Sequence, residues 1–144
     1  MEILVAKSSG FCFGVKRAIN LANKCASETK GEIYTLGPII HNPQVVKRLE
    51  ESRVYAKKGV EDIASGTIII RSHGAKLDEI RSARDKGLNI VDATCPFVKK
   101  AQDLVSLLSS EGYSVIVVGE KDHPDTTAAY RDRSIAAAVI PYTD

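Results

Sequence analysis

Hydrophobic residues follow two patterns along this chain, short uninterrupted runs and longer segments in which they recur at three- and four-residue steps. The runs predict strands, and the stepped segments predict amphipathic helices. The predicted strands cover residues 3–6, 32–36, 53–56, 67–71, 88–91 and 113–118, and the predicted helices cover 14–29, 43–51, 60–64, 77–86 and 97–111. Because strands alternate with helices, the pattern predicts an α/β fold of mainly parallel sheets flanked by helices.

The first long helix carries the clearest buried face. Its apolar residues lie on one side of the helix and comprise Val15, Ala18, Ile19, Ala22, Cys25 and Ala26. We therefore expect Cys25 to pack in the core. The helix over 97–111 has a similar face, made of Val98, Ala101, Leu104, Val105 and Leu108. Asn42 and Pro43 are typical of a cap and a first helical position, so they predict where the second helix begins.

Five residues capable of ligand chemistry each follow the carboxyl end of a predicted strand. They are Cys12, His41, His73, Cys95 and His123. In open parallel sheets this edge is where ligands bind. A single histidine in such a loop is more often incidental than functional, because histidine is common on surfaces. Five such residues at one edge indicate a binding or catalytic site.

Cys12 and Cys95 each precede a predicted helix. Cys12 lies between Gly10 and Gly14, which permit a tight turn, and Cys95 is followed by Pro96, which suits a first helical position. Backbone amides at a helix start favour the thiolate, and the thiolate binds metals or attacks electrophiles. The alternative for either cysteine is a buried, inert thiol.

Two thiolates at helix starts indicate a shared metal centre. Soft thiolates select zinc, copper or iron–sulfur clusters. Zinc is the weaker interpretation, because the sequence lacks the close Cys-x-x-Cys pairs of structural zinc sites. The histidines would add donors for a phosphate or diphosphate, which helix starts also favour. The pattern therefore predicts a metal and an anion in one site.

Composition narrows the classes of protein that fit. A chain of 144 residues with 44% hydrophobic residues suffices for the core of one domain or slightly more. A net charge of +2 is too small to indicate binding to nucleic acid or to an anionic membrane. The first residues form neither a signal peptide nor a membrane span, so we expect a cytoplasmic protein. Three widely spaced cysteines indicate reduced thiols and argue against a disulfide framework.

The sequence around Cys12 partly matches two other motifs. The spacing from Gly10 to Lys16 is one residue too short for a phosphate loop of the type G-x-x-x-x-G-K. Cys12 with Arg17 would suit a phosphate-cradling nucleophile, but nothing else in the sequence supports a covalent mechanism. The simpler interpretation of Arg17 is a solvated residue of the first helical turn.

Five segments together resemble the 4-hydroxy-3-methylbut-2-enyl diphosphate reductase family. They are Gly10-Phe11-Cys12-Phe13-Gly14-Val15-Lys16-Arg17-Ala18-Ile19, Ile40-His41-Asn42-Pro43, Ser72-His73-Gly74, Asp92-Ala93-Thr94-Cys95-Pro96 and His123-Pro124, in this order. The resemblance extends from Met1 to about Pro124 and implies the last step of the non-mevalonate isoprenoid pathway. In that step an iron–sulfur enzyme removes the allylic hydroxyl of its substrate with two electrons and protons, and it forms isopentenyl and dimethylallyl diphosphate.

The resemblance also implies a role for each of the five residues. Cys12 and Cys95 would be two of the three thiolate ligands of a [4Fe–4S] cluster. His41, His73 and His123 would bind the diphosphate or deliver protons. The implied partners are a small allylic diphosphate as substrate and reduced ferredoxin or flavodoxin as electron donor, with neither nucleic acid nor membrane expected.

His123 and Asp125 would form the catalytic part of the site by the same resemblance. The family has a glutamate after its His-Pro pair, whereas this chain has Asp125. Aspartate is one methylene shorter, and this shortens the reach of a proton relay.

The family is also about twice as long as this chain. It folds as three similar α/β lobes around a central cleft, and its third cysteine comes from the half that has no counterpart here. We therefore expect a truncated chain, with residues 1–95 as the first lobe and 96–144 as the start of the second. Such a chain alone is expected to hold at most a labile cluster and to show negligible turnover, since a thiolate ligand is missing.

Two other functions remain open. A zinc- or thiol-dependent enzyme acting on a small phosphorylated molecule would use the same thiols and histidines. An inactive fragment that serves as an interaction or scaffold remnant would need none of them. Metal analysis separates the first from the reductase, because it would find zinc in place of iron with acid-labile sulfide.

Overall fold

The computed structural model describes residues 2–120, residue 123 and the backbone of residues 137–140. Its elements in chain order are α1 (Phe13–Glu28), β1 (Ile33–Leu36), α2 (Pro43–Glu51), β2 (Val54–Lys57), a 3₁₀ turn (Val60–Asp62), β3 (Thr67–Ile70), α3 (Leu77–Asp85), β4 (Asn89–Asp92), α4 (Pro96–Ser110), β5 (Val115–Val118) and β6 (Ala137–Ile140). Their bounds lie within two residues of the predicted ones, except that the strand predicted for residues 3–6 is not formed and β6 has no predicted counterpart.

Four parallel strands form the main sheet, in the order β2-β1-β3-β4, and β5 pairs with β6 in a separate parallel sheet. The predicted α/β fold with parallel strands and flanking helices is confirmed. From β1 the chain passes to β2 on one side and then returns to β3 on the other side. The strand order therefore reverses between β1 and β3. In doubly wound sheets ligands bind beside such a reversal, at the carboxyl ends of the strands.

The isoleucines of β3 divide between two cores, one on each face of the main sheet. Ile69 belongs to the core that contains Ala18 of α1 and Leu49 of α2. Ile68 and Ile70 belong to the other core, which includes residues of α3. Successive strand residues point to opposite faces, so both faces are covered by helices. Each fully buried isoleucine contributes about 1.5–3 kcal/mol, which makes β3 a firm support for the loop that follows it.

The predicted core face of α1 is confirmed. Ala18 and Ala22 are fully buried. The other members of this face are partly buried against the same core, and they are Val15, Ile19, Cys25 and Ala26. Burial, followed by the negative charge of Glu28, raises the pKa of the Cys25 thiol. Cys25 is therefore a packing residue that favours its neutral form.

The predicted start of α2 is confirmed as well. The side chain of Asn42 accepts a hydrogen bond from Val45 N at 3.0 Å, and Pro43 is the first helical residue. A cap of this kind contributes about 1 kcal/mol. Because His41 directly precedes Asn42, the cap also restrains the loop that carries this histidine.

The strand predicted for residues 3–6 is wrong. Ile3, Leu4 and Val5 are 74%, 85% and 77% exposed, and none of the strand pairings in the described ranges includes them. A strand needs a partner to satisfy its backbone hydrogen bonds. The apolar run has the composition of a strand, but no described strand lies beside it.

A second difference lies near the end of the chain, where the sequence pattern predicts neither a strand nor a helix. The segment 135–140 is an apolar patch without a clear pattern, and its last four residues form β6, parallel to β5.

The predicted face of α4 is partly wrong, because Gln102 and Val105 are buried while Leu104 is 53% exposed. Neither α4 nor any other described helix is long and apolar enough to span a membrane.

Candidate active site

Cys12 and Cys95 are the N-cap residues of α1 and α4, as the sequence predicts. Neither thiol makes a capping hydrogen bond within the described part of the chain. Cys12 is exposed and Cys95 is partly buried. Both sulfur atoms therefore lie at helix starts and have no capping role.

Gly14 lets Cys95 lie directly against the first turn of α1. A Cβ at position 14 would be 2.6 Å from Cys95 Sγ, which is shorter than real Cβ contacts. Only glycine permits this approach. Since Cys12 precedes Gly14 by two residues, both thiols lie at the N-terminal end of α1. We call Cys12, Gly14, Cys95 and the neighbouring Arg17 the thiol corner.

Arg17 connects the first turns of α1 to the loop that precedes Cys95. Its Nη1 donates to Thr94 O at 3.1 Å, and its Nη2 donates to Asp92 O at 3.4 Å. The planar guanidinium reaches two carbonyls at once, and hydrogen bonds from a charged donor contribute about 1.5–3 kcal/mol. The interpretation of Arg17 as a solvated first-turn residue is therefore wrong.

The carboxylate of Asp92 holds the same loop from within. Its Oδ1 accepts from Thr94 N at 2.9 Å, and its Oδ2 accepts from Lys99 Nζ at 3.0 Å. Burial disfavours the ionised carboxylate, yet hydrogen bonds from Thr94 and Lys99 outweigh it and lower the pKa of Asp92 below its ordinary value of 3.8. Asp92 is therefore ionised at neutral pH and keeps this turn closed.

Hydrogen bonds join the loop of Cys95 to the loops after β3 and β1. Ala93 N donates to Ile70 O at 3.0 Å, and Cys95 N donates to Ser72 O at 2.8 Å. The hydroxyl of Ser72 in turn donates to Ile39 O at 3.2 Å. These bonds hold the loops after β1, β3 and β4 side by side.

Three imidazole rings meet where the loops after β1, β3 and β5 converge. The ring centroids of His41 and His73 are 5.1 Å apart, and those of His73 and His123 are 6.4 Å apart with nearly perpendicular planes. We call these three residues the histidine corner. His41 and His123 are exposed and His73 is partly buried. Asp125, the predicted catalytic partner of His123, lies outside the described residues.

The five predicted site residues reach this region from different parts of the fold. His41, His73 and Cys95 follow β1, β3 and β4, which belong to one sheet. His123 follows β5, which belongs to the other sheet, and the segment before Cys12 forms no strand in the described range. The expectation that all five follow strands of one sheet is therefore wrong for two of them, which α1 and β5 supply instead.

Arg71 adds a cation that the sequence analysis missed. It directly follows β3, and its Nη1 would be 2.9 Å from a Cβ at Gly37, which follows β1 with φ +72°. The guanidinium therefore lies at the reversal between β1 and β3. Its buried Nε has no hydrogen-bond partner among the residues that the structure describes. An arginine directly after a buried apolar strand is the sequence signal that would have identified it.

Gln102 is the second residue that the sequence analysis missed. It is 1% exposed, and its Nε2 would be 2.8 Å from a Cβ at Gly74, whose φ is +84°. The amide therefore packs beneath the backbone that directly follows His73. A glutamine between apolar positions of a predicted helix is the signal for such a buried polar contact.

Iron–sulfur ligation fits two of the described cysteines. Cys12 and Cys95 offer soft thiolate donors at helix starts, which suit an iron–sulfur cluster. Cys25 packs in the core and does not join them. Within the described ranges, no group of three or more histidine, cysteine, aspartate or glutamate side chains is arranged to hold a metal ion. The described residues therefore offer two sulfur donors in the thiol corner but no complete metal site.

The chain matches a known protein family over most of its length. The family is described as LytB protein, and the match covers residues 3–143. Proteins named 4-hydroxy-3-methylbut-2-enyl diphosphate reductase are among its relatives. The one from Syntrophotalea carbinolica is 58% identical over 125 residues, and the one from Aquifex aeolicus is 50% identical over 125 residues. Each match covers 87% of this chain but only 44% and 43% of the respective relative.

Two solved structures resemble this fold closely. A structure of (E)-4-hydroxy-3-methyl-but-2-enyl diphosphate reductase, described as the terminal enzyme of the non-mevalonate pathway, superposes with a TM-score of 0.83 at 44% identity. It matches 99% of this chain and 51% of its own length. The E-1-hydroxy-2-methyl-but-2-enyl-4-diphosphate reductase of Plasmodium falciparum gives a TM-score of 0.88 at 30% identity, over 93% of this chain and 42% of its own. The chain thus spans about half the length of these proteins.

Proposed function

The chain belongs to the LytB protein family, and from this premise we propose that it forms the cluster-binding and diphosphate-binding part of a 4-hydroxy-3-methylbut-2-enyl diphosphate reductase. The reaction breaks the allylic carbon–oxygen bond of the substrate, takes up two electrons and two protons, and releases water with isopentenyl or dimethylallyl diphosphate. Reduced ferredoxin or flavodoxin would supply the electrons.

The convergence of His41, His73 and His123 is the observation that carries this proposal. Three rings from three separate loops share one solvent-accessible position beside the reversal of strand order. A diphosphate offers several charged acceptor oxygens, and hydrogen bonds from imidazole N–H groups to a charged acceptor are about twice as strong as those between neutral groups. Arg71 adds positive charge at the same reversal, so the histidine corner would bind the diphosphate of the substrate.

Cys12 and Cys95 would hold two corners of an iron–sulfur cluster, and a third thiolate would come from another part of the complete protein. A bound cluster would supply the electrons and the Lewis acidity that cleavage of the allylic carbon–oxygen bond needs. The hydrogen bonds from Cys95 N to Ser72 O and from Ser72 to Ile39 keep the thiol corner next to the histidine corner. The allylic end of the substrate would therefore lie toward the thiols while its diphosphate lies among the imidazoles.

His123 and Asp125 would deliver a proton to the departing hydroxyl. The ring of His123 lies edge-on to His73, and this contact supports a position for His123 beside the diphosphate, from which it would reach the reacting end of a short substrate. Asp125 follows two residues later in the chain. Its shorter side chain would need either a closer backbone or a bridging water to complete the relay.

We further assign residues 1–95 to one lobe and residues 96–144 to the start of a second. The main sheet ends with β4, and α4 leads into the separate sheet of β5 and β6. That change of sheet supports the division. In this arrangement the two lobes would form opposite walls of one cleft. His123 would belong to the second lobe, and the other four site residues to the first.

Anaerobic reconstitution with iron and sulfide tests the proposed function directly. The complete protein is expected to bind iron and acid-labile sulfide, to absorb visible light, and to turn over 4-hydroxy-3-methylbut-2-enyl diphosphate with reduced viologen. The 144-residue chain alone is expected to hold at most a labile cluster and to show negligible turnover, because two thiolates anchor a cluster weakly. Zinc without sulfide would favour a zinc-dependent enzyme, and the absence of both metals and of turnover would favour an inactive fragment.

A further inference from the structure

We propose that Gly14 and Arg17 are positioning residues that fix the Cys95 thiol against the start of α1 and so set its separation from Cys12. The inference rests on the proposed function, because it assumes that the two thiols share a metal centre. It assigns a role to two residues that do not themselves ligate or react.

Two independent contacts connect the start of α1 to the loop before Cys95. The first is steric, since Cys95 Sγ occupies the space that a Cβ at Gly14 would need, 2.6 Å away. The second is polar, since Arg17 donates to the carbonyls of Thr94 and Asp92. These partners are 75 to 77 residues apart from Arg17 in the chain. The contact at Gly14 sets how closely the Cys95 thiol approaches α1. The hydrogen bonds of Arg17 hold the loop before Cys95 against the same helix.

The helix itself gives no reason for Gly14. Glycine disfavours helix formation relative to alanine, and position 14 is the second residue of α1. Its φ is not in the left-handed region, so backbone conformation does not require glycine either. The close approach of Cys95 is the remaining physical reason. Among the described residues, the hydrogen bonds of Arg17 go to backbone carbonyls and not to an acidic side chain. Its guanidinium therefore restrains the backbone of the loop before Cys95.

The variants Gly14→Ala and Arg17→Met perturb the two contacts separately. A methyl group at position 14 would overlap Cys95 Sγ and displace the thiol. Methionine at position 17 keeps the aliphatic stem and removes both donors, whereas Arg17→Lys keeps a charge that reaches one carbonyl but not two. Gly31→Ala is the matched glycine control, because nothing lies within 4 Å of its Cβ position. Arg81→Met is the matched arginine control, since Arg81 is an exposed residue paired only weakly, at 3.7 Å, with Asp78.

The first measurement uses the complete protein in its reduced, metal-free form, titrated with Co²⁺ alone. The thiolate-to-cobalt charge-transfer absorption reports metal bound to cysteine without any cluster or turnover. Gly14→Ala and Arg17→Met are expected to weaken Co²⁺ binding about 10-fold or more, as residues that orient metal ligands typically do. Arg17→Lys should recover part of the loss, and both controls should match the wild type.

The second measurement is the rate at which iodoacetamide alkylates each cysteine of the metal-free protein, resolved by peptide mass spectrometry. Loosening the loop should raise the rate at Cys95, while the rate at Cys25 stays low because that thiol is in the core. An equal rise in the alkylation rate of Cys25 would show that the variant is generally unfolded. Arg17→Lys would then be used in its place in both measurements. Wild-type cobalt affinity and wild-type Cys95 alkylation in folded variants would overturn the proposal.

The two measurements also separate this inference from the proposed function. If the wild type binds cobalt through thiolates and the variants lose it, Gly14 and Arg17 position the thiols even if no reductase activity is found. If the complete protein is an active reductase while the folded variants bind cobalt and react with iodoacetamide at Cys95 like the wild type, the proposed function stands and the positioning role is wrong.

Discussion

The thiol corner and the histidine corner adjoin each other, yet they are built by different means. His41 and His73 are placed by loops that directly follow buried strands of one sheet, so their positions depend on the sheet. The thiols are placed by α1 and α4, and the contacts of Gly14 and Arg17 join residues far apart in the chain. The comparison indicates that metal binding and anion binding should respond to different substitutions.

The largest difference between the effects on metal binding and on anion binding is expected when the cysteines themselves are replaced. In the complete protein, Cys12→Ser and Cys95→Ser should each abolish retention of iron, a loss beyond the roughly 10–100-fold typical of residues that only orient a ligand. Binding of inorganic pyrophosphate should be unchanged, because the histidine corner remains. Iron analysis after gel filtration and calorimetry with pyrophosphate measure the two properties.

Cys25→Ser is the matched control for this experiment. Cys25 packs against the α1 core, so its replacement should lower stability and leave iron content intact. Loss of pyrophosphate binding together with iron in the Cys12 variant would show that the two corners are one unit and that the distinction between them is wrong.

Replacement of the histidines is expected to have the opposite effect, weakening anion binding and leaving metal binding intact. His41→Ala and His73→Ala should each weaken pyrophosphate binding about 10-fold or more, since a hydrogen bond to a charged group contributes about 1.5–3 kcal/mol. Iron content should remain that of the wild type. Calorimetry with pyrophosphate at a constant ionic strength checks the affinity, and unchanged affinity in both variants would contradict the role of the histidine corner.

A smaller effect on pyrophosphate binding is expected from a change in the backbone that follows His73. Gly74→Ala should lower stability by more than the about 1–3 kcal/mol of a strained left-handed residue, because its new Cβ would also meet Gln102. It should weaken pyrophosphate binding too, through displacement of His73. Gly87→Ala is the control, since Gly87 has φ +69° but open space around its Cβ position. Urea unfolding measures the stability of both variants. Equal losses of stability would show that the contact between the new Cβ and Gln102 costs nothing.

The smallest effect concerns the pH dependence of the loop before Cys95, which the Asp92 carboxylate stabilises. The folded-state pKa of Asp92 is lowered, so its contribution to stability is present above the unfolded pKa and is lost as pH falls below 3.8 toward the folded value. Because the side chain is 45% exposed, the contribution should stay below about 1 kcal/mol. Urea unfolding of wild type and Asp92→Asn at neutral and acidic pH checks this. The difference between them should shrink at acidic pH, and a constant difference would contradict the assignment.

Local sequence patterns were enough to predict most elements of this fold. The three- and four-residue period identified α1 and its buried face, including Cys25. Asn42 and Pro43 marked the start of α2, because capping depends on residues adjacent in the chain. The same reasoning failed for residues 3–6, since a strand also requires a neighbouring strand that no local pattern specifies.

The amino-acid sequence by itself determined where four of the candidate residues stand relative to a helix or strand end. Cys12 and Cys95 at helix starts, and His41 and His73 after strands, follow from local conformational preferences. Only the tertiary structure decided that Arg17 binds the carbonyls of Thr94 and Asp92, and that Gly14 makes room for Cys95. Those contacts arise when separate loops pack together, and close packing depends on the positions of all the surrounding atoms, which the spacing of residues along a chain does not contain.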